Sequence, residues 1–277
     1  MTVVEFSLVV CAGSVIAGFL GALTGLGGGG LLVPMLILLG VDIHYAIGAS
    51  LVSVIATSSG AAAAYVREGF SNIRIGMFLE IATTTGALAG ATLATHVSGR
   101  AIATVLGLVL IGSAYLSRNP RSKEEREVPQ DPLATKLRMN GSFPDQGGTR
   151  EYNVQHVPAG FSLMFAAGAL SGLLGIGSGA MKVLAMDRAM KIPFKVSATT
   201  SNFMIGVTAA ASAGIYLSRG YIEPGLSMPV MLGVLGGSLV GTRVLVKAEV
   251  KWLRRVFSVV IVALGIEMLY KGLLGKL

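Results

Sequence analysis

The chain has 277 residues, of which 53% are hydrophobic and 13% are charged. Because a soluble domain carries about 25% charged residues, this composition excludes an ordinary water-soluble protein and predicts an integral protein of the cell membrane. The net charge of +8 indicates basic cytoplasmic loops rather than a nucleic-acid partner. The single cysteine, Cys11, excludes an internal disulfide.

Apolar stretches bounded by charged or turn residues follow one another along the chain. They cover residues 6–39, 46–66, 75–96, 101–117, 159–186, 196–218, 225–246 and 252–274. Because about 20 residues span a bilayer, the stretch 6–39 is too long for one ordinary span and too short for two. It therefore predicts a full membrane helix followed by a short, broken or re-entrant one. Such backbone is tolerated at membrane depth only where it is buried or lines an aqueous cavity.

The long polar segment 118–158 lies between the fourth and fifth apolar stretches. It contains "RNPRSKEEREVPQDP" and "NGSFPDQGGTR", and its proline, glycine and mixed charge are typical of a solvated loop. We predict a flexible loop that separates an N-terminal membrane repeat, 1–117, from a C-terminal membrane repeat, 159–277.

The two halves of the chain resemble each other in blocks that keep the same order. The block "GFLGALTGLGGGG" (Gly18–Gly30) matches "GALSGLLGIGSGA" (Gly168–Ala180). Further pairs are Ile43–Ser53 with Ile192–Asn202, Gly86–Thr92 with Gly236–Arg243, and Leu108–Leu116 with Ile261–Leu269. This ordered similarity indicates an internal duplication of one helical unit.

The basic residues indicate how the two halves are oriented. If every apolar stretch crosses the membrane once, lysine and arginine residues are shared almost equally between the two sides. If 6–39 and 159–186 each turn back at their glycines, most basic residues fall on the side of the central loop, as the positive-inside rule requires. Each half then has an odd number of crossings. The repeats are accordingly inverted, the loop 118–158 is cytoplasmic and both termini lie outside.

The predicted fold is therefore an all-α polytopic membrane protein with two inverted repeats. Each repeat is expected to contain about four long membrane helices. A broken or re-entrant short helix at a glycine-rich run completes each repeat, which gives about 8–10 membrane segments in all.

The first glycine run, "TGLGGGGL" (Thr24–Leu31), contains the G-x-G-x-x-G spacing of a dinucleotide-binding turn. That function needs a βαβ unit around the run, and no such pattern is present. Glycines also allow close packing of membrane helices. The second copy of the run favours a third interpretation. Each run would break a helix at membrane depth and present backbone N–H groups and a helix N-terminus to an anion.

Hydroxyl-rich segments follow both glycine runs. Ser50 and Ser53 share one helix face in the first half, and Thr199, Ser201 and Asn202 lie in the matching region of the second half. Hydroxyl and amide groups can donate hydrogen bonds to an oxyanion. Membrane serines and threonines also bond to the carbonyls of their own helix or hold helices together, so both interpretations stay open.

Few charged residues lie inside the apolar stretches. Lys182 follows the second glycine run, and an intramembrane lysine is costly and usually functional. It either supplies a countercharge to an anion or extends to the cytoplasmic surface. Glu80 and Glu267 either carry a coupling proton or lie near an interface. The sequence contains no motif for metal binding, ATP use or catalysis, so we expect no cofactor, no metal and no enzyme activity.

With both glycine runs considered, the chain resembles the sulfite exporter TauE/SafE family, also called TSUP. The resemblance rests on "GALTGLGGGGLLVPML" (Gly21–Leu36) and "AIGASLVSVIATSSGAAAAYVREG" (Ala46–Gly69), with second-half copies in Gly172–Met186 and Lys195–Gly206. It covers essentially the whole chain except the central loop. Membership implies a polytopic transporter of small anions, often sulfite, sulfonates or other sulfur oxyanions.

We therefore expect a secondary transporter of a small anion, a sulfur oxyanion or an organosulfonate, that works by alternating access around a midplane site between the glycine runs. The candidate substrate-binding residues are Gly27, Gly28, Gly29, Gly30, Ser50, Ser53, Ser178, Gly179, Lys182, Thr199, Ser201 and Asn202. The expected partners are the anion, the lipid bilayer and H+ as the coupling ion. The alternatives are a passive anion channel, or a membrane-embedded enzyme or assembly protein.

Overall fold

The computed structural model describes residues 3–24, 28–67, 71–118, 131–145, 148–245 and 250–275. The first half contains α1 (Val3–Thr24), α2 (Gly29–Leu38), α3 (Ile43–Arg67), α4 (Ile73–Ala94) and α5 (Gly99–Arg118). The central segment contains α6 (Pro132–Lys136), β1 (Gly141–Asp145) and β2 (Gly148–Tyr152). The second half contains α7 (Val157–Leu174), α8 (Gly179–Leu184), a π-helical turn (Ala185–Ala189), α9 (Phe194–Ser218), α10 (Pro224–Leu245) and α11 (Val250–Leu274). Each half thus holds long and short helices in the same order.

The outer faces of the long helices are apolar. Met77 and Ile81 of α4, Leu108 of α5, and Leu232 and Leu239 of α10 are each more than half exposed. By length and composition α4 and α7 can cross a bilayer, and the described residues include five shorter apolar helical segments of 10–17 residues. An apolar perimeter of this extent is unfavourable in water and favourable in lipid. The fold is that of an all-α membrane protein with several passes.

The long helices pack in pairs that join the two halves of the chain. α1 packs against α10, and α4 packs against α7. In the order of helices, α7 of the second half corresponds to α1 of the first half, and α10 corresponds to α4. The two pairs are therefore the same pair with the halves exchanged. The remaining major pairs, α3 with α9 and α5 with α11, join corresponding helices.

Glycines bring the backbones of α4 and α7 into direct contact. A Cβ atom at Gly90 would collide with the carbonyl oxygen of Ala169, and a Cβ at Gly172 would collide with that of Ala87. The α1–α10 pair has the same kind of backbone contact, because a Cβ at Gly237 would collide with the carbonyl oxygen of Val15. Small residues at four-residue spacing permit this close approach. On one side of the α4–α7 contact Gly86 meets Phe165 and Gly90 meets Ala169, and in the other pair Gly233 meets Cys11 and Gly237 meets Val15. Residue numbers rise together along each pair, so each pair is parallel.

The helices that correspond between the halves run antiparallel to each other. In the α5–α11 pair, Gly107 lies against Gly265, whereas Gly272 lies against Thr104 and Gly275 lies against Arg100. The residue numbers therefore rise on one helix as they fall on the other. In the α3–α9 region, the contact of Gly206 with Ser58 and that of Gly48 with Tyr221, just beyond α9, follow the same order.

Part of the predicted flexible loop is folded. The strands β1 and β2 pair antiparallel with Gly141 opposite Tyr152. Met139 and Phe143 are buried in an apolar cluster with residues of α4, α7 and α9. Asn72, the N-cap of α4, donates hydrogen bonds from Nδ2 to the Met139 carbonyl oxygen (3.1 Å) and to Tyr152 Oη (2.7 Å). Residues 131–145 and 148–158 of the predicted loop thus contain regular secondary structure and buried apolar contacts.

This hairpin marks one end of the bundle, called here the hairpin end (residues 131–156). Burial raises the pKa of the Tyr152 phenol there, although the hydrogen bond from Asn72 partly opposes the shift. The opposite end of the bundle, called the His44 end, contains His44, Ala94 and Tyr221, and His44 contacts the other two. Its ring stacks on Tyr221 with centroids 5.0 Å apart, and its Nε2 lies 3.3 Å from the carbonyl oxygen of Ala94.

Gly172→Ala is expected to lower the unfolding temperature of the protein in detergent. The new Cβ would press on the Ala87 carbonyl oxygen, and overpacking of a core costs about 1–3 kcal/mol. Gly112→Ala in α5 is the matched control, because a Cβ there meets nothing within 4 Å. Thermal unfolding of both variants measures the difference, and equal unfolding temperatures would contradict the glycine-dependent packing of α4 on α7.

Candidate functional site

Both glycine runs interrupt a helix. α1 ends at Thr24, and α2 begins after Gly28, whose φ of 72° lies in the left-handed region. In the second half, Gly175 and Gly177 have φ values of 67° and 70°, and Ser178 has a φ of 40° just before α8 begins. Glycine adopts such angles without steric cost, whereas serine does not. Gly27, a predicted site residue, lies outside the described residues.

The chain turns back on itself at each break. The Cβ position of Gly28 lies 3.5 Å from the carbonyl oxygen of Ala17, and further along α2 Met35 packs on Gly13. Because these contacts move towards the start of α1 as α2 proceeds, α2 returns antiparallel beside α1. In the second half, Met190, after the π-helical turn, packs in the same way on Gly160 near the start of α7. Both short helices therefore return along the long helix that precedes them.

A cavity of about 30 Å³ lies between the two breaks. Its lining comes from the starts of α2 and α8 and from the middle of α5 and α11, and it consists of Gly28, Gly30, Leu31, Val109, Leu110, Ser113, Ile176, Ser178, Gly179, Met181 and Ile261. Of the sequence-predicted residues, Gly28, Gly30, Ser178 and Gly179 meet here. Sequence reasoning missed Ser113, whose only signal is a hydroxyl in the middle of an apolar helix.

The lining side chains that carry a hydroxyl are Ser113 and Ser178, and the helix starts beside them carry backbone amides. The first amide groups of α2 and α8 have no acceptor within their own helices, and the N-terminal end of a helix carries partial positive charge. Ser178 is buried, and its Oγ forms no hydrogen bond with the described residues. Such an arrangement can bind a small anion by hydrogen bonds within an apolar wall. Within the described ranges, no group of three or more His, Cys, Asp or Glu could hold a metal ion.

The predicted hydroxyl residues divide into two groups. Ser50 Oγ donates to the carbonyl oxygen of Gly175 (2.8 Å), and Ser201 Oγ donates to that of Gly179 (3.2 Å), so both hold the second break in place. Ser53 donates to Ala49 of its own helix. The remaining predicted residues are Gly29, Thr199 and Asn202. Gly29 packs on Ser50. Thr199 Oγ1 donates to carbonyl oxygens of its own helix, α9, and Asn202 is half-buried.

The π-helical turn makes the second half one residue longer than the first between the break and the next long helix. Within it the Met190 N–H donates to the carbonyl oxygen of Ala185, five residues back. α3 therefore begins at Ile43 and α9 begins at Phe194. The sequence pairing of Ile43 with Ile192 differs from this structural correspondence by two residues, of which the inserted residue accounts for one. Such turns are frequent at functional sites.

Lys182 is fully buried and belongs to a polar network rather than to the cavity lining. Its Nζ donates a hydrogen bond to Thr208 Oγ1 on α9, and Thr208 Oγ1 donates to Glu80 Oε1 on α4 (2.7 Å). Thr84 Oγ1 also donates to Glu80 Oε1 (3.0 Å). The other carboxylate oxygen, Glu80 Oε2, is buried and accepts no hydrogen bond from the described residues. Glu267 is half-buried on α11.

Comparisons with known proteins agree with this architecture. The chain is 25% identical to the probable membrane transporter protein YunE of Bacillus subtilis (strain 168), over 97% of this chain and 99% of that protein. It is 28% identical to the probable membrane transporter protein YdhB of the same organism, over 83% and 84% of the two chains. A probable membrane transporter protein of Xylella fastidiosa (strain 9a5c) is 24% identical over 96% of each chain. No solved structure matches.

The apolar perimeter, the helical bundle and these relatives define a multi-pass membrane transporter and not an enzyme. The family sequence model described as "Sulfite exporter TauE/SafE" matches residues 10–268. The chain therefore belongs to the sulfite exporter TauE/SafE family, and the resemblance drawn from the two glycine runs is confirmed.

Proposed function

We propose that this transporter is a secondary transporter that carries a small anion, either a sulfur oxyanion or an organosulfonate. The observation that carries the proposal is the cavity between the two breaks, which joins Gly28 and Gly30 of one half to Ser178 and Gly179 of the other. A sulfur oxyanion is compact and accepts several hydrogen bonds, so it matches a pocket whose donors are amides and a hydroxyl. The apolar wall excludes water and strengthens those hydrogen bonds.

We further propose that the two halves are inverted repeats. A two-fold axis in the membrane plane makes corresponding helices antiparallel, whereas an axis along the membrane normal makes them parallel. The antiparallel order of α5 and α11 supports the first axis. The parallel pairs α1–α10 and α4–α7 are consistent with it, because inversion reverses both members of a pair.

Inverted repeats provide a route to alternating access. The glycine contacts make the α1–α10 and α4–α7 pairs rigid units that each contain one helix from each half. Each unit carries a re-entrant segment whose break contributes one wall of the cavity. Movement of one unit against the other would open the cavity to alternate sides while the backbone donors of each wall stay intact.

The hairpin end is proposed to face the cytoplasm of the cell. Most of the described basic residues near the two ends lie at the hairpin end, as the positive-inside rule requires; they are Arg74, Lys136, Arg138, Arg150, Arg188, Lys191 and Lys195. α1 begins and α11 ends at the His44 end, because α1 runs parallel to α10 and Gly275 lies against Arg100. Both termini are therefore proposed to lie outside.

Single cysteines introduced at the two ends test this orientation. With Cys11 replaced by serine, Thr149→Cys places an exposed thiol on the hairpin and Glu223→Cys places one at the His44 end. On intact cells, an impermeant maleimide is expected to label Glu223→Cys at least tenfold more than Thr149→Cys. Permeabilised cells should label both variants equally, and the reverse preference on intact cells would contradict the orientation.

The anion site is tested by the pair Ser178→Gly and Ser178→Ala. Glycine is expected to remove the strain of the left-handed backbone, about 1 kcal/mol, so the protein should be at least as stable as the wild type. Loss of a hydrogen bond to a charged group is worth about 1.5–3 kcal/mol. Both variants should therefore transport sulfite or an organosulfonate into proteoliposomes roughly tenfold more slowly or worse.

The glycine variant is decisive, because its loss of flux cannot come from lost stability. Wild-type flux through stable Ser178→Gly protein would mean that the Ser178 hydroxyl is not part of the anion site. Flux that rises linearly with anion concentration, without saturation, would instead indicate a passive channel with the same fold.

A further inference from the structure

We propose that Glu80, Thr208 and Lys182 form the element that couples proton movement to anion binding, with Glu80 taking up one proton for each anion bound. This inference rests on the proposed function, because it requires an anion at the cavity between the breaks. It goes further by naming the proton carrier, the relay and the stoichiometry.

The position of Lys182 connects anion binding at the cavity with protonation of Glu80. The first turn of α8 contributes Ser178 and Met181 to the cavity wall. Lys182 follows directly, and its side chain leaves the same turn towards Thr208 and Glu80. One turn of helix therefore carries both the anion donors and the cation that pairs with the carboxylate.

The charge of the buried network explains why proton and anion bind together. With Glu80 ionised and Lys182 positive, the network is neutral overall. A proton on Glu80 leaves the Lys182 ammonium without a countercharge in a buried site, which is strongly unfavourable. An anion at the adjacent cavity supplies that countercharge. Protonation and anion binding therefore favour each other, and by linkage the effect is reciprocal.

Thr208 provides the relay between the two charged groups. Its hydroxyl has one proton and two acceptors within reach, Glu80 Oε1 at 2.7 Å and the Met204 carbonyl oxygen at 2.9 Å. An ionised Glu80 accepts this proton. A protonated Glu80 can instead donate to Thr208 Oγ1, which then turns its own proton to Met204. Glu80 Oε2 accepts no hydrogen bond from the described residues, so no donor at that oxygen opposes protonation of the carboxylate.

Within the described residues, few other ionisable groups belong to the helices around Glu80. α7, which packs on α4, contains none. On α9, Lys195 and Tyr216 lie about 20 Å and 12 Å along the helix from Thr208, at 1.5 Å per residue, and Tyr216 Oη donates to the carbonyl oxygen of Gly172. On α4 itself, Arg74 lies on the first turn, six residues before Glu80. Lys182 is thus the charged partner of this carboxylate.

Among the described residues the network has no counterpart in the first half of the chain, and this sets the proposed stoichiometry. Counted from the starts of the corresponding helices, Lys182 matches Leu32, Thr208 matches Thr57 and Glu80 matches Met231. Thr57 Oγ1 donates only to carbonyls of its own helix, those of Ser53 and Val54. One such network among the described residues predicts one proton for each bound anion.

Calorimetric titration of the purified protein with methanesulfonate tests the inference, because this anion stays ionised across the accessible pH range. Titrations in two buffers of different ionisation enthalpy count the protons taken up on binding. The wild type should take up about one proton, and its Kd should rise by up to about tenfold per pH unit. Glu80→Gln should bind with a Kd that does not change with pH and should take up no proton.

Two further comparisons separate coupling from a structural role. Thr208→Val should reduce the pH dependence of Kd, whereas Thr57→Val, the matched change in the first half, should keep the wild-type slope. Glu267→Gln tests the other carboxylate and should still take up the proton. Proton uptake that persists in Glu80→Gln, or pH-independent binding by the wild type, would overturn this inference alone. Failure of the wild type to bind methanesulfonate at every pH would contradict the proposed function as well.

Discussion

A helix that stops inside a bilayer leaves backbone amides without acceptors, and the rest of this structure depends on how that cost is met. Lipid offers no hydrogen bonds, so irregular backbone must be buried in protein or line a cavity. Here α2 and α8 both begin at a cavity between the halves, and Ser50 and Ser201 donate to the carbonyls of Gly175 and Gly179 at the second break. In the proposed function, the amides that lack protein acceptors donate hydrogen bonds to the anion.

The same constraint explains why glycine is so abundant in the chain, with 38 residues. Some glycines occupy left-handed positions at the breaks, where other residues are strained, and others allow backbones to touch, as Gly90 and Gly172 do between α4 and α7. The first use shapes the cavity of the proposed anion site, and the second packs the helix pairs on either side of that cavity. Ser178 is the exception, because it adopts the left-handed conformation despite its side chain and so contributes a hydroxyl where the first half has Gly28.

Much of this architecture could be predicted from the sequence, because composition and repetition are local signals. The glycine runs predicted both helix breaks, and the cost of an intramembrane lysine marked Lys182 as unusual. The partners of Lys182 could not be predicted, because Thr208 and Glu80 meet it only through the packing of α4 and α9 on α8. Ser53 and Thr199 illustrate the opposite case, since hydroxyls suited to an anion turned out to donate to their own helices. The π-helical turn, a single inserted residue, was invisible to the apolar pattern.

The central claim is that an anion binds between the two helix breaks. Anomalous diffraction from crystals grown with selenite, the selenium analogue of sulfite, locates such an anion directly. The claim predicts one selenium peak within hydrogen-bonding distance of the amides of Gly30 and Gly179 and of Ser178 Oγ. A peak elsewhere in the bundle, with the cavity between the breaks empty at a selenite concentration that inhibits transport, would contradict it.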